Sequence, residues 1–389
     1  MTKFERVPLI VSFEEAVKSV EVYGFTGSQG LVFLEGQLLL PHNSESKTLI
    51  LFMHPATTLN LLPMPIAMAE AGLHVMCCAS RYAKNDAALI MEKVVYDLGA
   101  YVRYAKEQLN YEKVVLVGWS GGGSLSVFYQ AEAQDPSITA TPAGDPVDIV
   151  GANLIAADGI MSIASHLSRA ETLCEWIDPS VTNELDPDSR TVELDLYNPA
   201  NPNQPAYDTD YLAYFRAEQI ARNRRISQWA KDSLVALQEK NTGETERAFV
   251  VYRTMADPRW LDPSVDPNDR NPVGCYLGNP ETVNTGPVGI ARFSLLRSWL
   301  SQWYYDDSNA RTDRNAGRIT VPALVIENSA DDATPAKDPR KIFELLGSQD
   351  KEFHVIKGAT HYYKGQPELL SEAVNICLDW LSRKGFIKG

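Results

Sequence analysis

Val114-Val115-Leu116-Val117-Gly118-Trp119-Ser120-Gly121-Gly122-Gly123 is the stretch on which the fold turns. Four consecutive apolar residues suit a strand covered on both faces. The G-x-S-x-G that follows, with a helical run behind it, requires a very tight strand-to-helix turn at the serine. Such a turn strains the backbone at Ser120 and lifts its hydroxyl clear of the sheet. Gly118 and Gly122 let strand and helix approach without Cβ clashes. The helix start favours negative charge developing beside it. A phosphate loop is the competing reading, but it needs a Lys before its Ser or Thr, and none stands here. Ser120 is therefore the expected nucleophile.

Working outward, strands alternate with helices. Residues 19–26 and 31–40 read as strands joined by a Gly-Ser-Gln-Gly turn, and residues 48–53 (TLILFM) as a buried strand ending at His54-Pro55. A helix over 62–71 stops at Gly72, and 73–78 (LHVMCC) is the next strand. Ile90, Val94, Leu98, Val102 and Ala105 recur at helical spacing within a long helix over 86–110. Residues 148–156 (DIVGANLIA) read as a further strand. This rhythm predicts a parallel sheet with helices on both faces.

The rhythm stops between about Gly159 and Asn315. Helical stretches are expected near 160–176, 208–239 and 287–305, separated by Asp-, Asn- and Pro-rich loops. It resumes with a strand over 320–327, a helix after Lys337, a strand over 352–357 and a helix over 367–384. The expected organisation is an α/β core in two parts, 1–158 and 318–389, interrupted by a mainly helical insertion at 159–317.

The chain has 389 residues, 44% hydrophobic and 22% charged, with a net charge of −14. That charge repels phosphate backbones and gives no help on anionic lipid, so neither nucleic acid nor membrane is an expected partner. The five cysteines are scattered without metal spacing, and read as buried thiols in a reducing compartment. The N-terminal apolar run, Val7 to Val11, contains Pro8 and is followed by Glu14 and Glu15, too short and acidic for a signal peptide. No stretch approaches the roughly 18 apolar residues of a membrane span. The expectation is a cytoplasmic enzyme acting on a small-molecule substrate, with no metal and no cofactor. A homodimer is left open.

A serine hydroxyl needs a base. Of six histidines, His74 and His354 fall inside strand-like runs, His42 lies in a polar loop and His166 in the insertion. His361 stands just past the strand over 352–357, where loops leaving parallel strands build sites. The base in turn needs a carboxylate to hold its tautomer. Asp331 and Asp332 follow the strand over 320–327, and either could instead cap a turn.

The order Ser120, Asp331, His361 on this strand–helix rhythm resembles the α/β-hydrolase superfamily over about 19–158 and 318–385. The resemblance implies the α/β-hydrolase fold, a Ser-His-Asp triad and an acyl-enzyme. It places the acid four residues before a proline, which selects Asp331, with Pro335, over Asp332. Some members carry the acid after the strand that follows the nucleophile helix, which makes Asp158 the reserve. The family's oxyanion hole implies the N–H of Gly121 and a second donor from the loop after the third strand. Pro55 has no N–H, so Ala56 is the expected donor and Thr57 the alternative. His54 is expected to pin that loop. Esters or lactones are the commonest substrates of such a site; amides, thioesters, C–C bonds, acyl transfer and ligand binding without turnover are the alternatives.

The insertion occupies the position of the family's cap. It holds five of seven tryptophans, and Phe293, Leu296, Trp299, Leu300 and Trp303 share a helical face. Trp119, Trp299 and Trp303 are the expected contacts to a bulky, partly apolar substrate, although the same stripe also reads as insertion core. Arg216, Arg222, Arg224 and Arg225 read as a solvated face that a substrate carboxylate could use.

Overall fold

The computed structural model describes residues 3–15, 30–42, 44–271 and 274–388. In chain order the elements begin β1 (Phe4–Glu14), β2 (Leu31–Pro41), β3 (Thr48–His54), α1 (Pro63–Glu70), β4 (Val75–Ala79) and α2 (Met91–Glu107). They continue β5 (Lys113–Ser120), α3 (Gly122–Gln134), β6 (Gly159–Ser165), α4 (Arg169–Trp176), α5 (Thr209–Lys240), β7 (Ala248–Val250) and α6 (Pro280–Thr285). Then come β8 (Phe293–Leu295), α7 (Leu296–Gln302), α8 (Thr312–Asn315), β9 (Ala323–Asn328), α9 (Lys337–Leu345), β10 (Lys351–Ile356) and α10 (Pro367–Arg383).

Eight strands form one sheet in the order β1-β2-β4-β3-β5-β6-β9-β10. β2 runs antiparallel to both neighbours, and the pairs from β4 to β10 are parallel. The run 114–117 is continuously apolar because both faces of β5 are covered. Val114 and Leu116 pack into the core under α2, α3 and α9, whereas Val115 and Val117 pack into the opposite core under α1 and α10. The chain passes from β4, on one side of β3, to β5 on the other, so the loops leaving β3 and β5 diverge. A crevice at the carboxyl ends of the strands is the result.

Three expectations are corrected. Residues 148–156 form a turn and irregular chain, because Asp148 accepts the Gly151 N–H at 2.8 Å and Asn153 has φ +49°. The sheet strand is instead β6, so the core continues past residue 158, and the helix expected over 160–176 is a strand followed by α4. The helix expected over 287–305 shrinks to α7, preceded by β8. At the N-terminus, the run 4–14 is a full edge strand paired along its length with β2. Its Pro8 is tolerated because an edge strand has one unpaired side. The strand expected over 19–26 lies outside the described residues.

The segment between β6 and β9 has its own cores, one around Ile226, Leu296, Trp299 and Trp303, others around Phe215 and Trp260. A buried ionic lattice joins them. Arg253 bonds Asp178 at 2.6 Å and Asp195 at 2.7 Å, and Asn284 donates to Asp178 at 2.9 Å. Buried charges persist only when paired in this way.

Candidate active site

The turn between β5 and α3 puts Ser120 at φ +54°, a left-handed backbone that a serine adopts only when its surroundings impose it. Two close approaches do so. A Cβ on Gly118 would lie 2.5 Å from Gly123 Cα, and one on Gly122 would lie 2.4 Å from the Met53 carbonyl oxygen. Both positions therefore admit only hydrogen, and α3 is drawn tight against the ends of β3 and β5. Ser120 is half-buried at the carboxyl end of β5.

Asp331 and His361 come from the loops after β9 and β10. His361 Nδ1 lies 2.8 Å from Asp331 Oδ2. Asp331 Oδ1 accepts the N–H groups of Ala333 at 2.8 Å and Thr334 at 2.7 Å. Asp331 and His361 are 3% and 2% exposed, so the pair is sheltered from water. With Nδ1 committed to the carboxylate, Nε2 is the nitrogen left for exchange with a serine. The ring centroid of Trp119, the residue before Ser120, is 4.6 Å from that of His361, which sets the imidazole beside the elbow. The loop carrying Asp331 is also clasped by the inserted segment: Asn268 donates to the Asp331 carbonyl at 3.1 Å and Trp260 to the Asp332 carbonyl at 3.0 Å. Burial, and then the charge of Asp331, push the Asp332 carboxyl up.

Asp158 is nowhere near this site. It precedes β6 and caps the start of β5, accepting the Val114 N–H at 2.9 Å and ion-pairing with Lys106 and Lys113. Ser120 is six residues further along β5, roughly 20 Å away at strand rise.

His54 ends β3. Its Nδ1 accepts the Ala56 N–H at 3.1 Å, so the donor expected to face an oxyanion is turned onto the histidine ring. Thr57 is exposed. Burial pushes the His54 imidazole well below the ordinary histidine range, and Arg169, His166 and His361 push the same way. His74 is tied to Tyr111 Oη at 2.7 Å, a structural role.

Of the residues expected as substrate contacts, Trp299 and Trp303 follow the reading of their stripe as core of the inserted segment. Trp299 is fully buried in the core of the inserted segment, with Nε1 donating to Ser227 Oγ at 2.9 Å. Trp303, equally buried, lies under the Arg169 guanidinium at 4.3 Å. Phe293 leaves the stripe altogether, exposed on β8. Of the arginine run, Arg216 pairs with Asp257, Arg222 with Glu184 and Arg224 with Asp306, and Arg225 reaches the Val181 carbonyl at 3.4 Å.

Sequence reasoning missed Arg169 and Tyr276. Arg169 opens α4, just after β6, so misplacing that strand hid it. Tyr276 comes from an irregular loop with no periodic signal, and its ring stands 6.3 Å from His361. Tyr362 adds a third aromatic ring, 4.9 Å from His361.

Sheet order, strained serine elbow and the paired loops after β9 and β10 define the class of fold: the chain has the α/β-hydrolase fold. It matches the crystal structure of the α/β hydrolase GrgF from Penicillium sp. sh18 with a TM-score of 0.53, covering 97% of this chain and 98% of that one at 14% identity. By sequence, 125 residues are 26% identical to a monoglyceride lipase of Homo sapiens, covering 32% of this chain and 38% of the lipase. A further match, 25% over 130 residues, is to a monoglyceride lipase of Rattus norvegicus, covering 33% and 40%. The chain thus spans well under half the length of the curated relatives it matches. No protein-family model matches it. No helix among the described residues is long and apolar enough to cross a membrane.

Proposed function

We propose that the chain is a serine hydrolase that cleaves a carboxylic ester through an acyl-enzyme on Ser120. The observation that carries this reading is the buried Asp331–His361 hydrogen bond, 2.8 Å long, with the His361 ring against Trp119, the residue before the positive-φ Ser120. Ser120 Oγ attacks the acyl carbon while His361 Nε2 takes its proton. The carbonyl π pair moves to oxygen and is received by the Gly121 N–H at the start of α3. Collapse of the tetrahedral intermediate breaks the C–O bond, and His361 returns the proton to the departing alcohol. Water, deprotonated by the same nitrogen, then releases the acid and restores Ser120.

The local likeness to monoglyceride lipases supports an ester as the bond cleaved. Trp119, Tyr276 and Tyr362 around His361 support an acyl or alkyl group with apolar bulk. We assign the segment from 166 to about 317 as a cap over the site. All five cysteines are unpaired and buried, in keeping with a reducing compartment, and we place the enzyme in the cytoplasm.

A fluorophosphonate probe is expected to label Ser120, and Ser120→Ala to lower kcat on p-nitrophenyl butyrate by about 10⁴-fold or more with the fold retained. Labelling or turnover that survives in the alanine variant would refute the assignment.

A further inference from the structure

The oxyanion needs more than one donor, and the first two residues of the loop after β3 do not offer the second. Pro55 has no N–H, and the Ala56 N–H is donated to His54 Nδ1 at 3.1 Å. That bond settles the tautomer. A ring nitrogen that accepts carries no proton, so His54 is neutral and its N–H is on Nε2. The position of Nε2 is informative. A Cβ built on Gly121, the residue after the nucleophile, would lie 2.8 Å from His54 Nε2 and 3.6 Å from Arg169 Nη1. The space that a side chain following the serine would fill is therefore taken by the polar edge of an imidazole and the end of a guanidinium. The glycine at this position is what admits them.

Arg169 is itself unusual. It is nine-tenths buried, and among the described residues its Nε has no partner and its one ion pair, to Asp86, is long at 3.3 Å. Its flat face rests on Trp303 at 4.3 Å. Among the described residues Nη1 makes no hydrogen bond. A buried cation left underpaired is costly unless charge arrives beside it. Here the place where charge would arrive is next to Gly121.

We propose that His54 is a catalytic residue whose Nε2–H donates, beside the Gly121 N–H, to the oxyanion formed on Ser120, with the Arg169 cation set behind the same oxygen. The inference rests on the reading of Ser120 as nucleophile. Both side chains face a carbonyl oxygen that is neutral in the bound substrate and negative in the intermediate. Their effect therefore belongs to kcat rather than KM. A neutral His54 also avoids adding a second imidazolium next to His361 as it takes the serine proton. The low basicity that burial and Arg169 confer keeps it neutral throughout.

The test uses the full chain, p-nitrophenyl butyrate as substrate, and an alkyl trifluoromethyl ketone whose serine adduct mimics the oxyanion. His54→Phe is expected to lower kcat by about 10²- to 10³-fold with KM nearly unchanged, the loss typical of one oxyanion donor. The trifluoromethyl ketone should weaken in parallel, while the same ketone without fluorine binds as before. His54→Gln, whose amide N–H reaches the same place, should recover at least ten-fold in kcat. Gly121→Ala leaves the imidazole unmutated but displaces Nε2, and should reproduce the kcat and inhibitor losses. This variant decides the matter if His54→Phe does not fold. A kcat within three-fold of wild type in either variant would overturn the proposal. So would a loss confined to KM, or a fall in kcat without weaker trifluoromethyl ketone binding. Failure of the parent reading looks different: turnover would then survive Ser120→Ala.

Discussion

Three aspartates, Asp331, Asp332 and Asp158, compete in the sequence for one histidine, and the surroundings of Asp331 and Asp158 separate those two. Asp331 places one oxygen on His361 Nδ1 and the other on two backbone N–H groups, so the carboxylate is fixed before it orients the ring. Asp331→Asn should lower kcat by about 10³- to 10⁴-fold, because the amide no longer holds the productive tautomer. Asp158→Asn should leave kcat unchanged and act on stability instead. Burial works to raise the Asp158 carboxyl, but hydrogen bonds from Lys106, the Val114 N–H and Lys113 outweigh it and hold the group below its ordinary 3.8. A depressed carboxyl stabilises the fold above its unfolded value and loses that contribution as pH falls through the folded one. Urea melts at pH 7 should therefore show Asp158→Asn about 1–2 kcal/mol less stable than wild type, a gap that closes as pH falls below about 4. A gap that is constant with pH would mean the charge is not what matters there.

At the scale of elements, the elbow works because α3 sits against β3 with no side chain between them. Gly122→Ala would set a Cβ 2.4 Å from the Met53 carbonyl oxygen, and backbone cannot give way there cheaply. The start of α3 should shift from β3, taking Ser120 and the Gly121 N–H with it. We expect at least about a 10²-fold loss of kcat/KM and a lower Tm, since misplacing a reacting group by about 1 Å costs that much. Gly317→Ala, with nothing within 4 Å of the new Cβ, is the control and should change neither quantity. Equal behaviour of the two variants would show that the close approach does not position the serine.

Across the whole molecule, the inserted segment is built to hold itself together and to grip the core at the Asp331 loop. Trp299 belongs to the first task. Trimming it to alanine removes a fully buried indole and its hydrogen bond to Ser227, a loss of about 3–5 kcal/mol. Activity on short and long p-nitrophenyl esters should fall together, and only as the protein approaches its lowered Tm. A selective change in the ratio of long to short esters would return Trp299 to the pocket wall. Arg169 ties this segment to the site, stacked on Trp303 at the end of α7 and facing Gly121 from α4.

The sequence by itself determined the elbow, because G-x-S-x-G between an apolar strand and a helix is a constraint on adjacent residues. The order of Ser120, Asp331 and His361 was legible for a related reason: each directly ends a strand or follows one within a few residues. The strand after α3 was not legible. Residues 148–156 and 159–165 are both short apolar runs, and periodicity cannot choose between them when a strand is buried on both faces. Pairing with β5 and β9 makes that choice, and pairing is a long-range property. The tryptophans of α7 follow the same logic: a shared helical face shows that they are buried, but only packing decides against what. His54 and Arg169 stand 115 residues apart in the chain and meet at Gly121 because the sheet order puts the ends of β3, β5 and β6 side by side. Local pattern sets which elements form, whereas which side chains share a pocket depends on contacts between residues far apart in the chain, and only the tertiary structure supplies those.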